Sequence, residues 1–278
     1  MNTIFIQTND KQDLGAMIAQ YALQKHMEPH TIPVTIMNVD TMDMFQSFHE
    51  KTYRRNGRLL TFDRHDLQSF TLSRFLPPSL MGYEGKVLVI DPDIFSLVNI
   101  HELFALDMHG YAIACCRKKD AWDSSLMLLD CAKLRHWDVP QFLRDLHHET
   151  LDYTDLMMLK KESDILELPR IWNSLDHLDD KTKLLHTTNR LTQPWKTGLP
   201  IDFRREPLKK IGGIIPREWV WKKLGKYSTT YQPHPQKHIE TFFFGLVKEA
   251  LATGVLSRDF IQSEIDAGHA RKDTFALL

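Results

Sequence analysis

The sequence predicts an α/β fold: a mixed, mainly parallel sheet flanked by helices, with a helical extension at its carboxyl end. Three observations carry that reading. Short apolar runs recur at Thr3–Ile6, Val34–Val39 and Val87–Ile90, of the β-branched and aliphatic kind that fills buried strands. A helical pattern separates the first two, which is the opening of a sheet built with crossover connections. Each run stops abruptly in polar residues: Thr8-Asn9-Asp10, Asp40, and Asp91-Pro92-Asp93. Ligands of such sheets bind just beyond the carboxyl ends of the strands.

The elements follow in order. Residues 13–26 place Leu14, Met17, Ile18, Tyr21, Ala22 and Lys25 on one helical face. Residues 45–74 are charged and aromatic, and Phe70 to Pro77 reads as a helix stopped by two prolines. Arg74, near its end, can reach a phosphate or stand as a surface cation. Val87–Ile90 reads as a strand in the middle of a parallel sheet. Beyond its end, residues i and i+2 of an extended segment point to one side, so Asp91 and Asp93 can converge on one hard cation. Asp-Pro-Asp is equally a strand-ending turn. Residues 94–106 read as a helix beside that site, 110–116 as a strand, and 126–130 as a buried strand led in by Asp123, Ser124 and Ser125, small polar residues suited to sugar hydroxyls. Patterns at 137–151 and 154–162 are helical, with the carboxylates Asp152 and Asp155 at their junction, as caps or as partners of a substrate hydroxyl. Lys183–His186 is a short run ending in a histidine.

Composition narrows the function. The chain has 278 residues, a hydrophobic share of 42% and a formal net charge of −1, so no global field favours nucleic acid or membrane, and no nucleic-acid partner is expected. Three cysteines without paired spacing suit a reducing compartment. The first residues lack the pattern of a secretory signal, and no run approaches the ~20 apolar residues of a membrane helix. A cytoplasmic protein is expected. From Arg204 to Lys226 the character changes: eight Lys and Arg stand against Glu206 and Glu218, with Trp219 and Trp221 interleaved. Residues 204–227 read as a solvated helix with inward tryptophans, or as a peripheral contact with an anionic membrane at its inner face. Two helices follow, at 236–253 and from Ser257 to about residue 268. The organisation expected is an α/β domain at 1–203 and a basic segment with helices at 204–278.

In order along the first 200 residues, these stretches resemble the family-eight glycosyltransferases, the glycogenin-like and bacterial galactosyltransferase-like enzymes of GT-A fold. Thr8-Asn9-Asp10 is similar to the family's nucleotide-binding loop. Asp91-Pro92-Asp93, preceded by Ser73-Arg74, is similar to its Asp-x-Asp. Asp123-Ser124-Ser125 is similar to its Asn-Ser-Gly segment, which contacts the donor sugar. His186, followed by Gln193-Pro194-Trp195, is similar to its late His…Lys-Pro-Trp element. The resemblance implies a nucleotide-diphosphate sugar as donor, most simply a UDP-sugar. It also implies transfer with retention to a glycan, lipid-linked or protein acceptor, and Mn²⁺ (or Mg²⁺) held by Asp91, Asp93 and His186. Donor contacts are then expected from Thr8, Asn9, Asp10, Arg74, Asp91, Asp93, Ser124, Ser125, Gln193 and Lys196. The chain departs from the pattern at Asp123 for asparagine, Ser125 for glycine, and Gln193 for a lysine aimed at the diphosphate. Lys196, Arg190 and Arg74 are candidates for the missing charge. Asp152-Tyr153-Thr154-Asp155 stands nearest the family's central Asp-Gln-Asp, and Asp123 and Asp155 are the catalytic candidates. Two alternatives remain: a non-catalytic nucleotide-sugar-binding protein, and a sugar nucleotidyltransferase, against which the scarcity of Gly and Arg in residues 8–15 counts.

Overall fold

The computed structural model describes residues 2–204 and 228–278. The basic stretch with Trp219 and Trp221 lies outside the described residues. A six-stranded sheet organises the rest, in the order β2-β1-β5-β8-β7-β9. Its members are β1 (Asn2–Thr8), β2 (Val34–Asn38), β5 (Lys86–Ile90), β7 (Ile113–Lys118), β8 (Ala121–Asp130) and β9 (Ile165–Leu168). The β1–β2, β1–β5 and β7–β9 pairs are parallel, whereas β8 runs antiparallel to both neighbours. The mixed, mainly parallel α/β fold is thus present. The expectation that β5 lies inside a parallel sheet needs correction, since it is parallel to β1 on one side only.

Strand alternation builds two apolar layers. Ile4, Ile6, Leu88, Ile90, Leu126 and Leu128 face one way, toward helix α1 (Asp13–Gln24). Phe5, Val87, Val89, Met127 and Leu129 face the other, toward α5 (Val139–His147) and a hairpin of β3 (Thr52–Arg55) and β4 (Arg58–Thr61). Between these elements lie the one-turn helices α2 (Asp43–Gln46), α3 (Pro77–Leu80) and α4 (His101–Phe104), and α6 (Tyr153–Met157) follows α5. Near the carboxyl end, α7 (Lys237–Ala252) and α8 (Arg258–Asp266), capped by Ser257 as expected, pack into the first layer. Phe243 of α7 stacks on the buried Trp195 ring at 4.9 Å between centroids.

Three local expectations give way. Residues 94–106 do not form one helix: Ile94–Ser96 is strand β6, paired with β11 (Leu184–His186), which pairs in turn with β10 (Ser174–Leu175). A short, wholly buried apolar run carries no periodicity to separate strand from helix. Ser69–Phe75 is a 3₁₀ run, and Pro77 and Pro78 begin α3 rather than end a helix, since proline suits a first turn, where its missing N–H costs nothing. Residues 154–162 are helical only to Met157, with Leu159 at φ 53°. The β3–β4 hairpin and β9 lie outside every sequence expectation, although Asn56-Gly57, at φ 51° and 70°, is a hairpin-turn dipeptide.

Candidate functional site

The end of β5 feeds straight into Asp91-Pro92-Asp93, and three features of the chain fix that turn. Antiparallel β6–β11 pairing lays His186 opposite Ile94, and the Thr187 N–H donates to the Asp93 carbonyl at 3.0 Å. Gly15 of α1 lets the helix approach closely: a Cβ there would lie 2.9 Å from both the Pro92 carbonyl oxygen and the Trp195 ring. The third feature is a register shift between Cys115 and Cys116, where the partner on β8 jumps from Met127 to Asp123. This bulge frees Ser124, Ser125 and Leu126 from the ladder to β7, and the Ser125 carbonyl instead accepts the Asp91 N–H at 3.0 Å. Bulges re-aim side chains in this way; here the Asp123–Ser125 segment turns toward the Asp-Pro-Asp turn.

The result is a cluster in which one ligand atom each from Asp91, Asp93 and His186 lies within 4.8 Å of the others. Asp91 Oδ1 accepts from Arg74 Nη2 at 3.0 Å and from the Gln7 amide. Asp93 Oδ1 lies 3.4 Å from His186 Nε2, and Asp93 Oδ2 accepts from Gln193 Nε2 at 3.3 Å. His186 Nδ1 donates to Asn173 Oδ1 at 2.9 Å, so Nε2 is the ring nitrogen turned to the carboxylates. The Asn173 amide in turn donates to Ser125 Oγ at 3.0 Å. Asn173 is fully buried and joins the histidine to the serine. Sequence reasoning passed over it, and a lone asparagine after Trp172 carried no signal.

Electrostatics follow from burial. Burial pushes the Asp91 carboxyl up to about 6, against the Arg74 guanidinium, and the neighbouring Asp93 adds to the rise. Burial pulls His186 down, but Asp93, with Asp91 and Asp123, outweighs it and leaves the imidazole above its ordinary value. Burial raises Asp123, and His186 with the Ser125 hydrogen bonds outweighs that, holding it below the usual carboxylate range. Two carboxylates and one imidazole on hard and borderline donor atoms are a set that fits a divalent cation.

The other predicted residues fall in three places. Arg74 is buried within the cluster, its Nη1 donating to Ser124 Oγ at 2.6 Å; it is no surface cation. Asp123 lies beside it, accepting from Ser125 Oγ at 2.6 Å and from Arg170 Nη1 at 3.3 Å. Beside β1, Asn9 and Asp10 border a cleft of about 230 Å³ together with Lys11, Asp40, Arg64, His65 and His269. Thr8 is buried and does not line it, and the Asn9 amide ties that loop to Asp66, Leu67 and Ser69. Lys196 and Asp155 stand apart. The Lys196 ammonium is buried 3.3 Å from Asp202, and burial lowers its pKa. Asp155 pairs with Lys160 at 2.5 Å on the surface, while Asp152 caps α6. Arg190 donates to Gln68 at 2.8 Å.

Fold and site together define a GT-A architecture with a carboxylate–imidazole cluster at its strand ends, and known structures share the architecture. The glycosyltransferase GlyE of Streptococcus pneumoniae TIGR4 superposes with a TM-score of 0.50 at 16% identity, over 91% of this chain and 64% of its own. Its apo form does so at 0.50 and 17%, over 84% and 65%. This chain therefore spans less than two thirds of GlyE. A complex of the galactosyltransferase LgtC with donor and acceptor sugar analogues gives 0.46 at 12% identity, over 70% of this chain and 89% of that one. Among curated proteins, Protein CDI of Arabidopsis thaliana is 26% identical over 195 residues, 62% of this chain and 69% of that protein. No protein-family profile matches the chain.

Proposed function

We propose that this protein is a family-eight glycosyltransferase. In this reading it moves a sugar from a nucleotide-diphosphate sugar, a UDP-sugar, to a hydroxyl acceptor with retention, using a divalent cation, Mn²⁺, held by Asp91, Asp93 and His186. One observation carries the reading: the three side chains converge within 4.8 Å at the strand ends of a GT-A fold. The one imidazole favours Mn²⁺ over Mg²⁺, which prefers an all-oxygen, water-rich shell. When bound, the cation would neutralise charge that develops on the diphosphate as the sugar–phosphate bond breaks.

The chain's own residues then divide the work. The cleft bordered by Asn9 and Asp10 receives the nucleoside, with the buried Thr8 preceding them in the loop and Asn9 holding that loop through the Asp66–Ser69 turn. Arg74 supplies a fixed positive charge beside the diphosphate, because Lys196 is committed to Asp202. Gln193, standing where the family has lysine, orients Asp93 through its amide. Asp123, Ser124 and Ser125 face the donor sugar. Asp123, ionised and held by Ser125, accepts from a sugar or acceptor hydroxyl; we assign that role to it rather than to Asp155. The acceptor hydroxyl attacks on the side of the departing phosphate, as retention requires.

The test is hydrolysis of a panel of nucleotide sugars, with product NMR. Free sugar is expected only with Mn²⁺, and Asp93→Ala is expected to lower the rate by about a thousandfold or more. A second reading, a non-catalytic nucleotide-sugar-binding protein, is favoured by Gln193 and the captive Lys196. Metal-independent binding without turnover of any donor would select it. A cytoplasmic protein touching anionic membranes through residues 204–227 completes the reading. No helix among the described residues is long and apolar enough to cross a membrane. Sedimentation with anionic liposomes, weakened by salt, is expected; unchanged soluble behaviour rules the contact out.

A further inference from the structure

The sheet order sorts the polar groups along one rim. The cleft with Asn9, Asp10 and Asp40 borders the ends of β1 and β2, the Asp91–Asp93 turn ends β5, and Asp123–Ser125 lies on β8. Beyond them, where β7 and β9 end, is a hollow of about 370 Å³ lined by Arg117, Glu167, Leu168, Pro169 and Arg170. Arg170 commits Nη1 to Asp123 Oδ2, and Arg117 lies over the Trp122 ring at 5.0 Å. Neither guanidinium makes another side-chain hydrogen bond or ion pair among the described residues, and no ion pair joins either of them to Glu167. Two arginines are therefore pre-positioned with most of their five N–H donors uncommitted, next to the carboxylate placed against the donor sugar.

An acceptor must reach the sugar from the side the nucleotide leaves open. The nucleotide occupies the β1–β2 end of the rim, so that side is the β7–β9 end. We propose that the Arg117–Arg170 hollow is the acceptor subsite and that the acceptor carries an anionic group, a phosphate ester or a carboxylate, next to the sugar that receives the transfer. The inference rests on the transferase reading for the acceptor role. Guanidinium forks match both oxyanions in bidentate geometry. Glu167 offers an acceptor to a ring hydroxyl, so the hollow suits a charged sugar better than a bare anion. Arg170 spans Asp123 and the hollow, so it fixes the distance between the acceptor's charge and the reacting hydroxyl.

The test is calorimetric titration of the full chain, with UDP and Mn²⁺ present, using a hexose, its 6-phosphate and the corresponding hexuronate as probes. At least one charged probe is expected to bind about tenfold or more tightly than the hexose, an advantage that fades as salt shortens the screening length. Whether phosphate or carboxylate leads identifies the group. Arg117→Gln and Arg170→Gln are each expected to erase the preference, and Arg117→Lys to keep part of it. Equal binding of all three probes, or a preference that survives both glutamine variants, overturns the proposal. Nucleotide-sugar hydrolysis in the same samples separates the two readings. Hydrolysis with no charge preference removes the subsite and leaves the transferase. An arginine-dependent preference without hydrolysis upholds the anion site and removes the transferase.

Discussion

Two groups of carboxylates lie near the start of α1 and differ in what surrounds them. At the end of β5, Asp91, Asp93 and Asp123 face Arg74, Arg170 and His186, and the amides of Gln7 and Gln193. Where α1 meets α8, Asp13 faces Glu264, with Asp10 and Asp40 nearby and His269 as the opposing group. Burial there, reinforced by Glu264 and Asp10, pushes the Asp13 carboxyl up to about 7. In the first group Arg74 and His186 oppose the burial of Asp91; in the second the neighbouring carboxylates add to the burial of Asp13 and His269 opposes them. Counting acidic residues would not tell them apart. What differs is which donors hold the carboxylates: guanidinium, imidazole and glutamine groups from distant parts of the chain at the end of β5, and the Asn38 amide beside Asp10 and Asp13.

The comparison breaks most visibly if Arg74 is removed. Its side chain and that of Asp91 are 6% and 14% exposed, so Arg74→Met leaves a buried carboxylate without its cation. Losing one member of such a pair costs roughly 3–5 kcal/mol. Urea unfolding should show that loss, and a change below about 1 kcal/mol would mean that solvent reaches Asp91 freely.

Metal binding should distinguish the two groups next. Mn²⁺ at a hundredfold over its Kd is expected to stabilise the protein by about 2.7 kcal/mol. His186→Ala should remove most of the melting shift, and Asp13→Asn should leave it in place. Ligation needs deprotonated groups. The shift should therefore shrink as pH falls through about 6, where Asp91 takes up its proton. A shift that survives His186→Ala but not Asp13→Asn would put the cation in the wrong group.

Gly15 of α1 tests the side that faces the site. Alanine is ordinarily the better helix residue by roughly 1 kcal/mol. Here its Cβ meets a backbone carbonyl and the stacked Trp195 ring at 2.9 Å, and neither neighbour moves easily. Overpacking should dominate, so Gly15→Ala is expected to cost about 1–3 kcal/mol. A stabilised variant would show that the turn can move away from α1.

These contrasts also explain what the sequence could show. Val87–Ile90 ending at Asp91-Pro92-Asp93 was legible because apolar content, strand length and the two-residue spacing of the carboxylates are all local. By its own surroundings His186 is legible only as a strand end, the ligand role coming from the family resemblance, and its place opposite Ile94 depends on β6, a run whose local pattern does not separate strand from helix. Asn173 and Gln7 had no local signature at all. They act through partners far along the chain, and hydrogen bonds of that kind follow from strand order. Arg74 was read as a phosphate ligand or a surface cation. It is no surface cation, because the 3₁₀ run from Ser69 is buried along its whole length and carries Arg74 inward to Asp91 and Ser124. The Asp13–Glu264 approach joins residues near the two ends of the chain, and nothing in either stretch announced the other.

The smallest effect concerns that pair and has a definite sign. A folded-state value near 7 for Asp13, against 3.8 for an ordinary aspartate, means the folded protein keeps a proton that the unfolded chain releases. Stability from this group is full below about pH 4 and is lost as pH rises toward 7. Asp13→Asn removes the titrating group but keeps an oxygen that can accept from Asn38, whose amide lies 3.4 Å from Oδ1. At pH 4 the variant and the parent should therefore be equally stable. At pH 8 the variant should be more stable by roughly 1–2 kcal/mol, a figure reduced from the full shift because the side chain is partly exposed. Thermal melts across that range check it. A variant less stable than the parent at pH 8 would show that Asp13 is held as a carboxylate by cations, and the distinction between the two groups would fall.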